Sequence, residues 1–507
     1  MATTLLHVVH DPVGSAVAQG GPGCAAVAAG SVATARAGAE VLAAGGNAVD
    51  AVLAATFAAS VAEQSVASLG GGGFLMVRTP DGQVHVRDAF VDTPGRGLPV
   101  QELDLHFVPM DVQYPSTVQT FHVGLGSVAV PGLLAGILQA HDEFARLPLS
   151  TIVAPARRYA AEGVVIEPAQ GVLTGLVREL VALSPESARL VQRDGRWLTT
   201  GDVVLNPDLA SFLDLVADGS VTSLESGPFA GPVLQAMAEG GLVTVGDLDA
   251  YSVIHREPVV VERAGHHFFT NPPPSFGGSI IADTLARAPL FDPGRALGWM
   301  GLLEALVEAT THRRAGAVTP LTSTGTTHCS AADADGMVAS MTTSNGVTSG
   351  FVIPGTGIQL NNMLGEADLN PDGFHATPPG QRMGSMMCPS ILAAPDGGVV
   401  ALGTGGSERI RSSMVEVVMR MVDAGQSLGE AVSAARIHPD ARGLQVEPYL
   451  TAEVIDGLAG WRHGPVNVWP THNLFFGGVN AVQRTPDGSV LAVADGRRGG
   501  GAMVVHV

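Results

Sequence analysis

The 507-residue chain contains no lysine, so all 27 of its basic residues are arginines, against 47 aspartates and glutamates. Without lysine, every mechanism that needs a lysine nucleophile or a lysine Schiff base is excluded. The net charge is -20 and no basic stripe is present. Binding to nucleic acid needs such basic groups to neutralise phosphates, so we do not expect a nucleic-acid partner.

Cysteine and long apolar runs are also scarce. Cys24, Cys329 and Cys388 are odd in number and far apart, which gives neither a disulfide framework nor metal-ligand spacing, and no metal or cofactor is expected. The longest apolar run, 51–62, is too short to span a bilayer. Residues 1–21 lack the basic start and apolar core of a secretory signal. We therefore expect a cytoplasmic protein without a membrane partner.

The order of the segments predicts an α+β fold. Residues 31–64 are typical of two helices separated by a glycine stop, and a hairpin follows with its turn at 80–82. Residues 132–250 are mostly helical in pattern, whereas several hairpins and about two helices follow position 326. Between these parts, 316–325 has the composition of an exposed linker. Two sheets with helices on their outer faces would bury both sheets.

The first hairpin after Gly325 begins with two threonines, Thr326 and Thr327, whose hydroxyls could have a catalytic role. An internal threonine is a poor nucleophile, whereas a threonine at a chain start has its own α-amine beside the hydroxyl as a base. That amine titrates near pH ~8, so part of it is neutral at physiological pH. Gly325 tolerates the twisted backbone that would let the Thr326 hydroxyl attack the Gly325 carbonyl and free this amine. Taken alone, the two threonines are better explained as β-branched residues at the start of a strand.

The surrounding motifs decide between these interpretations. The chain resembles the γ-glutamyltranspeptidase family from about residue 25 to its end, in "AGGNAVDAVLAA", "SLGGGGFLMV", "PPPSFGG", "TTHCSAADADG", "LNNMLGE", "MCPSI", "GTGGSERI" and "ADGRRGGGA". The resemblance implies the four-layer αββα sandwich of N-terminal-nucleophile hydrolases. It also implies self-cleavage between Gly325 and Thr326, giving a large subunit of residues 1–325 and a small catalytic subunit of 326–507. The two would form one αββα unit and associate as a heterodimer.

The resemblance assigns catalytic roles along the same hairpin. Thr326 matches the nucleophile, and Thr327 matches the residue after it. A second family threonine, which hydrogen-bonds the nucleophile, matches either Ser344 by spacing or Thr343 if one residue has been lost. We predict Thr343, which makes Asn345 the match to a substrate-binding asparagine.

The oxyanion hole of the family is formed by adjacent glycine amides, and Gly405 and Gly406 match them. Successive N–H groups at the start of a helix are well placed to receive developing negative charge. A tight glycine turn between a strand and a helix needs the same residues, and both roles can hold together.

The substrate-binding positions depart from the family. Phe90 stands where an arginine binds the α-carboxylate of the γ-glutamyl group, and an aromatic ring cannot replace a bidentate arginine. Of two serines that assist, only Ser385 remains, and Met386 replaces the other. Met363 and Glu366 stand where the family has a glutamine and an aspartate for the α-amine. The small-molecule substrate is thus predicted to lack the amino-acid head of a γ-glutamyl group.

We therefore predict an N-terminal-nucleophile hydrolase that cleaves an amide or related acyl bond through an acyl-threonine intermediate. Three alternatives stay open. The same threonine could cleave a carbon–carbon bond in an antibiotic biosynthetic pathway, as in divergent branches of the family. Arg382 could replace the missing arginine in a genuine γ-glutamyl transferase or glutathione hydrolase. The chain could also be an unprocessed, inactive binding scaffold.

Overall fold

The computed structural model describes residues 13–114, 117–313 and 325–507. Its α-helices are α1 (Val32–Ala43), α2 (Ala48–Ala62), α3 (Leu133–Phe144), α4 (Leu149–Glu162), α5 (Pro168–Val181), α6 (Pro185–Val191), α7 (Pro207–Ala217), α8 (Gly227–Met237), α9 (Val245–Ala250), α10 (Phe276–Arg287), α11 (Ala296–Arg313), α12 (Arg409–Val422), α13 (Leu428–Ser433) and α14 (Ala452–Leu458). The predicted linker 316–325 lies outside the described residues, apart from Gly325.

The strands before Gly325 are β1 (Ala16–Gly20), β2 (Cys24–Ala29), β3 (Gly72–Arg78), β4 (Val84–Ala89), β5 (Val108–Tyr114), β6 (Thr117–Val123), β7 (Val164–Val165), β8 (Gln192–Arg193), β9 (Arg196–Trp197), β10 (Val203–Val204), β11 (Ile254–Arg256), β12 (Val259–Arg263) and β13 (His266–Thr270). Those after it are β14 (Thr326–Ala332), β15 (Val338–Ser344), β16 (Ser390–Ala393), β17 (Val399–Gly405), β18 (Ile437–Asp440), β19 (Gly443–Val446), β20 (Val466–Val468), β21 (Gly478–Arg484), β22 (Val490–Ala494) and β23 (Gly501–His506).

Two seven-stranded antiparallel sheets form the centre of the fold. Sheet I has the order β1-β22-β21-β17-β16-β13-β12, and sheet II has the order β11-β4-β3-β15-β14-β2-β23. The sheets face each other, with β14 and β15 of sheet II packed on β17 of sheet I. Small and β-branched side chains fill the layer between them, among them Ala26, Ala28, Ala401 and Val482.

Helices cover the outer face of each sheet. Helices α1, α2 and α3 pack on sheet II, and α10, α12 and α13 pack on sheet I. Helix α2 is buried almost all round, as expected for a helix without a polar face. Its start is fixed by a capping box, in which Asn47 and Asp50 exchange side-chain-to-backbone hydrogen bonds. The predicted α+β, four-layer αββα architecture is thus confirmed.

Both sheets draw strands from both sides of Gly325. In sheet I, β1, β12 and β13 come before this residue and the other four strands after it. In sheet II, β14 and β15 lie in the middle, with β3 and β2 as their outer neighbours. The segments 1–325 and 326–507 therefore contribute to one common core. Among the helices that the structure describes, none has the length and apolar content needed to cross a lipid bilayer.

Candidate active site

Thr326 is the first residue of β14, a central strand of sheet II. Antiparallel pairing places Thr326 opposite Ser344 and Thr327 opposite Thr343 on β15. Since successive side chains of a strand point to opposite faces, Thr326 and Thr327 serve different sides of the sheet. Thr326 is buried, and its hydroxyl oxygen lies 3.5 Å from the Ser344 hydroxyl oxygen.

The Ser344 hydroxyl lies next to both residues that the Gly325–Thr326 peptide bond joins. It donates a hydrogen bond to the Gly325 carbonyl oxygen and accepts one from the Gly346 N–H at 3.1 Å. This register corrects the prediction for Thr343, whose side chain lies on the other face, in a small cavity with residues of α1 and α2 such as Thr34 and Ala55. Ser344, the alternative that the spacing offered, is therefore the hydroxyl residue of β15 that lies beside Thr326.

Asn345 does not reach the cavity next to Thr326. Its side-chain amide donates to the Leu360 carbonyl at 3.4 Å, and it is absent from the described residues that line that cavity. The predicted substrate contact of Asn345 depended on the same one-residue shift as Thr343. Since Ser344 lies beside Thr326, the structure gives no reason to assign a substrate contact to Asn345.

Gly405 and Gly406 lie where β17 ends, against the start of β14. A Cβ atom at Gly405 would be 2.1 Å from the Thr326 carbonyl oxygen, so no side chain fits there. Gly406 has a φ of 129°, which only glycine adopts readily. Helix α12 begins three residues further on, at Arg409. The structure thus places Gly405 against the main chain of Thr326, with Gly406 one residue further along, in a turn that leads from a strand into a helix.

A small cavity opens beside Thr326 and Ser344. It brings together all five of the remaining predicted substrate-binding residues: Phe90, Met363, Glu366, Ser385 and Met386. We call this cavity the acyl pocket. Phe90 is buried and stacks on Phe74 with ring centroids 5.5 Å apart, so its ring is fixed.

The acyl pocket also contains residues that sequence reasoning missed. Asp368, Leu369, Met387, Ser407 and Ile410 complete its lining. The Ser407 hydroxyl donates to the Asp368 carboxylate at 3.1 Å. The spacing of Glu366 and Asp368 in "GEADLN" was a signal, since two acidic residues two positions apart follow the "LNN" motif.

Arginine is absent from the described residues that line the acyl pocket. Arg87 lies on the other side of sheet II, where it pairs with Glu143 and stacks on Phe144. Arg382 is held by ion pairs with Asp88 and Asp92. Its guanidinium carbon also lies 4.9 Å from the centre of the Tyr251 ring. The suggestion that Arg382 replaces the carboxylate-binding arginine of the family finds no support in these contacts.

His328 is close to the nucleophile in sequence and carries no charge near neutral pH. Its Nδ1 lies 2.7 Å from the Thr342 hydroxyl and its Nε2 lies 2.8 Å from the Ser330 hydroxyl. Burial lowers the pKa of His328 to about 3. The imidazole is therefore a neutral packing group between the two sheets.

Glu63, the residue directly after α2, is a further residue that the sequence analysis did not reveal. The Thr327 hydroxyl donates to its Oε2 at 2.6 Å, and the Thr34 hydroxyl donates to its Oε1 at 2.6 Å. Burial raises the pKa of Glu63 to about 7. The signal in the sequence was an acidic residue directly after the apolar run 51–62.

The four-layer αββα arrangement is the fold of the N-terminal-nucleophile hydrolase class. Comparison with known proteins agrees. A cephalosporin acylase structure from Bacillus halodurans superposes with a TM-score of 0.81 over 98% of this chain and 99% of that chain, at 24% sequence identity. At this identity the likeness establishes the fold.

The family follows from sequence comparison. A sequence model described as "Gamma-glutamyltranspeptidase" matches residues 34–318 and 304–505, and the chain belongs to this family. Acylase ACY 1 proenzyme of Pseudomonas sp. (strain V22) is 31% identical over 92% of this chain and 90% of the relative. Glutathione hydrolase proenzyme of Escherichia coli (strain K12) is 26% identical over 79% of this chain and 78% of the relative.

Proposed function

We propose that the chain cleaves itself before Thr326 and then hydrolyses an amide or related acyl bond through an acyl-Thr326 intermediate, on substrates without a γ-glutamyl head. The observation that carries the proposal is the contact of the Ser344 hydroxyl with the Gly325 carbonyl oxygen, beside the Thr326 hydroxyl. The two relatives named above, an acylase and a glutathione hydrolase, are both proenzymes, which supports cleavage of this chain as well.

Self-cleavage would begin with attack of the Thr326 oxygen on the Gly325 carbonyl carbon. Negative charge then develops on the Gly325 oxygen, where the Ser344 O–H already donates. The C–N bond breaks to give an ester between the Gly325 carbonyl carbon and the Thr326 side-chain oxygen. The Thr326 nitrogen takes up the proton that the hydroxyl has lost. Water hydrolyses this ester, leaving a carboxylate on Gly325 and a free α-amine on Thr326.

In turnover, the neutral α-amine accepts the proton of the Thr326 hydroxyl as the oxygen attacks the substrate carbonyl. His328 stays neutral and is bonded to two hydroxyls, which leaves the amine as the base. The amides of the Gly405–Gly406 turn would stabilise the oxyanion. Water then hydrolyses the acyl-threonine ester.

The lining of the acyl pocket determines which acyl groups fit. Phe90, Met363 and Met386 present apolar surface where the family binds a charged amino-acid head. Glu366 and Asp368 add carboxylates, which repel a substrate carboxylate. An acyl group with an apolar end is therefore favoured over a γ-glutamyl group.

The same apolar lining also supports a second candidate, cleavage of a carbon–carbon bond beside an activated carbonyl in an antibiotic pathway. The nucleophile and oxyanion amides would be shared, and a stabilised carbanion would leave in place of an amine. A cytoplasmic location is part of the proposal, supported by the three buried free thiols of Cys24, Cys329 and Cys388.

Self-cleavage is tested by replacing the nucleophile. We expect wild-type protein to give two bands on a denaturing gel, with Thr326 as the N-terminal residue of the smaller fragment. Thr326→Ala should give a single full-length band, because the attacking oxygen is absent. A wild-type chain that stays whole after prolonged incubation, or that is cut elsewhere, would contradict the proposal and favour the inactive scaffold.

Specificity is tested with p-nitroanilides that differ only in the acyl head. We expect butyryl-p-nitroanilide to have a kcat/KM on the order of 100-fold above that of the γ-glutamyl compound, since a carboxylate buried without its partner costs several kcal/mol. Glutaryl-p-nitroanilide, which has the carboxylate but not the amine, separates the two charges. Preference for the γ-glutamyl compound would overturn the specificity while leaving the nucleophile in place.

A further inference from the structure

A second cavity borders Thr326, separate from the acyl pocket. Its lining includes Thr326, Thr327, Glu63, Gly405 and Arg498. The cavity therefore joins the nucleophile, one of its predicted oxyanion glycines and a buried carboxylate. The mechanism proposed above gives this carboxylate no task.

Glu63 is linked to the nucleophile strand by a chain of hydrogen bonds. Its two oxygens receive the hydroxyls of Thr327 and Thr34, both at 2.6 Å, and the Thr34 hydroxyl lies 2.8 Å from that of Ser31. The fit is tight, because a Cβ atom at Gly30 would lie 2.2 Å from the Thr327 hydroxyl oxygen and 2.4 Å from Glu63 Oε2. The Thr327 side chain is therefore held in one place.

Protonation of Glu63 changes the group to which the Thr327 hydroxyl can donate its hydrogen bond. An ionised carboxylate only accepts, so both threonine O–H groups must point at it. A neutral carboxyl group has one O–H to donate, which allows the Thr327 hydrogen to turn towards the cavity that Thr326 borders. Burial gives Glu63 a pKa of about 7, so both forms occur near neutral pH.

We infer that Glu63 is a positioning residue for Thr326: it holds the Thr327 hydroxyl, and its protonation sets the direction in which this hydroxyl donates. The inference rests on the proposed role of Thr326 as nucleophile. It gives Thr327 a defined task beside the nucleophile, and it links the rate of acylation to pH through a residue that does not touch the substrate.

Four charged or titratable groups face this site from the packed elements. Glu167 precedes α5 and raises the pKa of Glu63 by charge repulsion. On β14, His328 stays neutral, and burial raises the pKa of the Cys329 thiol above its usual range. Arg498 lines the cavity from the turn after β22. Of these, Glu167 is the group whose removal should move the pKa of Glu63 in a known direction.

The test is the pH dependence of the acylation burst with p-nitrophenyl acetate, an activated ester that needs no specific acyl pocket, measured on the processed enzyme. We expect an inflection near pH 7 from Glu63 in addition to that of the Thr326 amine near pH ~8. Glu63→Gln should remove the first inflection, which we expect to span about a three- to tenfold change in rate. Thr327→Val should remove it too, and adding Glu63→Gln to Thr327→Val should change nothing further.

Two glutamate variants complete the experiment. Glu167→Gln should move the inflection to lower pH, because it removes a negative charge that raises the pKa of Glu63. Glu40→Gln is the matched control, since Glu40 pairs with Arg158 at the surface of the same helical layer, and it should leave the profile unchanged. If Glu63→Gln is too unstable to isolate, the Glu167→Gln shift decides.

The outcomes separate this inference from the proposed function. An inflection near pH 7 that persists in Glu63→Gln overturns the inference, as does a uniform loss of rate at every pH, which a purely structural role would give. A burst that is equally large in Thr326→Ala overturns the proposed nucleophile instead.

Discussion

Among single residues, Ser344 contacts the Gly325–Thr326 bond for which we propose cleavage. Its hydroxyl donates to the Gly325 carbonyl oxygen and lies 3.5 Å from the Thr326 hydroxyl oxygen. Thr343, its neighbour on β15, faces helices α1 and α2 and lies opposite Thr327. The two adjacent hydroxyls should therefore differ sharply in their effect on self-cleavage.

We expect Ser344→Ala to slow self-cleavage by a factor on the order of 10² to 10³, because a donor to the developing oxyanion is lost. Thr343→Val, which removes a hydroxyl of the same kind from the other face, should leave the rate nearly unchanged. The measurement is the time course of precursor loss on denaturing gels after synthesis. Equal effects of the two variants would contradict the assignment of Ser344.

Prediction at this scale succeeded where a motif fixes a position and failed where a contact crosses between elements. Phe90, Met363 and Met386 all line the acyl pocket; Met363 and Met386 sit in or next to a motif of the family, and Phe90 directly follows β4. The prediction that Thr343 lies beside Thr326 was wrong, because the loss or gain of a single residue changes the register of a hairpin. Glu63 could not be found, since its partner Thr327 is 264 positions away in the chain.

Among the elements, the turn between β17 and α12 determines how closely sheet I approaches the nucleophile. Gly405 touches the main chain of Thr326, and Gly406 lets the chain reverse with a positive φ. Any side chain at Gly405 would have to push β14 and β17 apart. The turn is therefore under a packing constraint, to which the proposed oxyanion role would add a catalytic one.

We expect Gly405→Ala to lower the free energy of unfolding by about 1–3 kcal/mol through overpacking and to slow self-cleavage at least tenfold. The control is Gly429→Ala in α13, where an added Cβ meets nothing within 4 Å. That variant should keep full activity. Thermal unfolding and the same gel assay measure both effects, and an unaffected Gly405→Ala would show that the contact is not required.

The order of the elements was accessible from the sequence, but their neighbours in space were not. The glycine stop at 45–46 separates α1 from α2 as predicted, and β3 and β4 form the expected hairpin. Nothing in local periodicity indicates that β14 pairs with β2, whose paired residues lie 300 or more positions earlier in the chain. Such pairings depend on the burial of whole sheets, which a single segment does not encode.

For the whole molecule, the important feature is that both sheets mix strands from before and after Gly325. In sheet II, β14 pairs with β2 and β15 pairs with β3. Breaking one peptide bond at the start of β14 removes none of these pairings. The buried core between the sheets is likewise shared by both segments.

We therefore expect fragments 1–325 and 326–507 to stay together after cleavage. Native gel filtration should give one peak that contains both, and they should separate only at denaturant concentrations that also abolish the circular dichroism signal of the fold. A control with uncleaved Thr326→Ala protein should elute at the same volume. Separation of the fragments under native conditions would contradict the shared core.

The central position of β14 also bears on when, during folding, the proposed cleavage before Thr326 could occur. The bond before Thr326 acquires its surroundings only when β2, β15 and the β17 turn, which come from distant parts of the chain, have all assembled around it. A nascent or misfolded polypeptide has none of these neighbours, so under the proposed mechanism it would stay whole. Maturation would then act as a built-in checkpoint, and the ratio of cut to uncut protein in a preparation would report the fraction of molecules that have ever reached the native state.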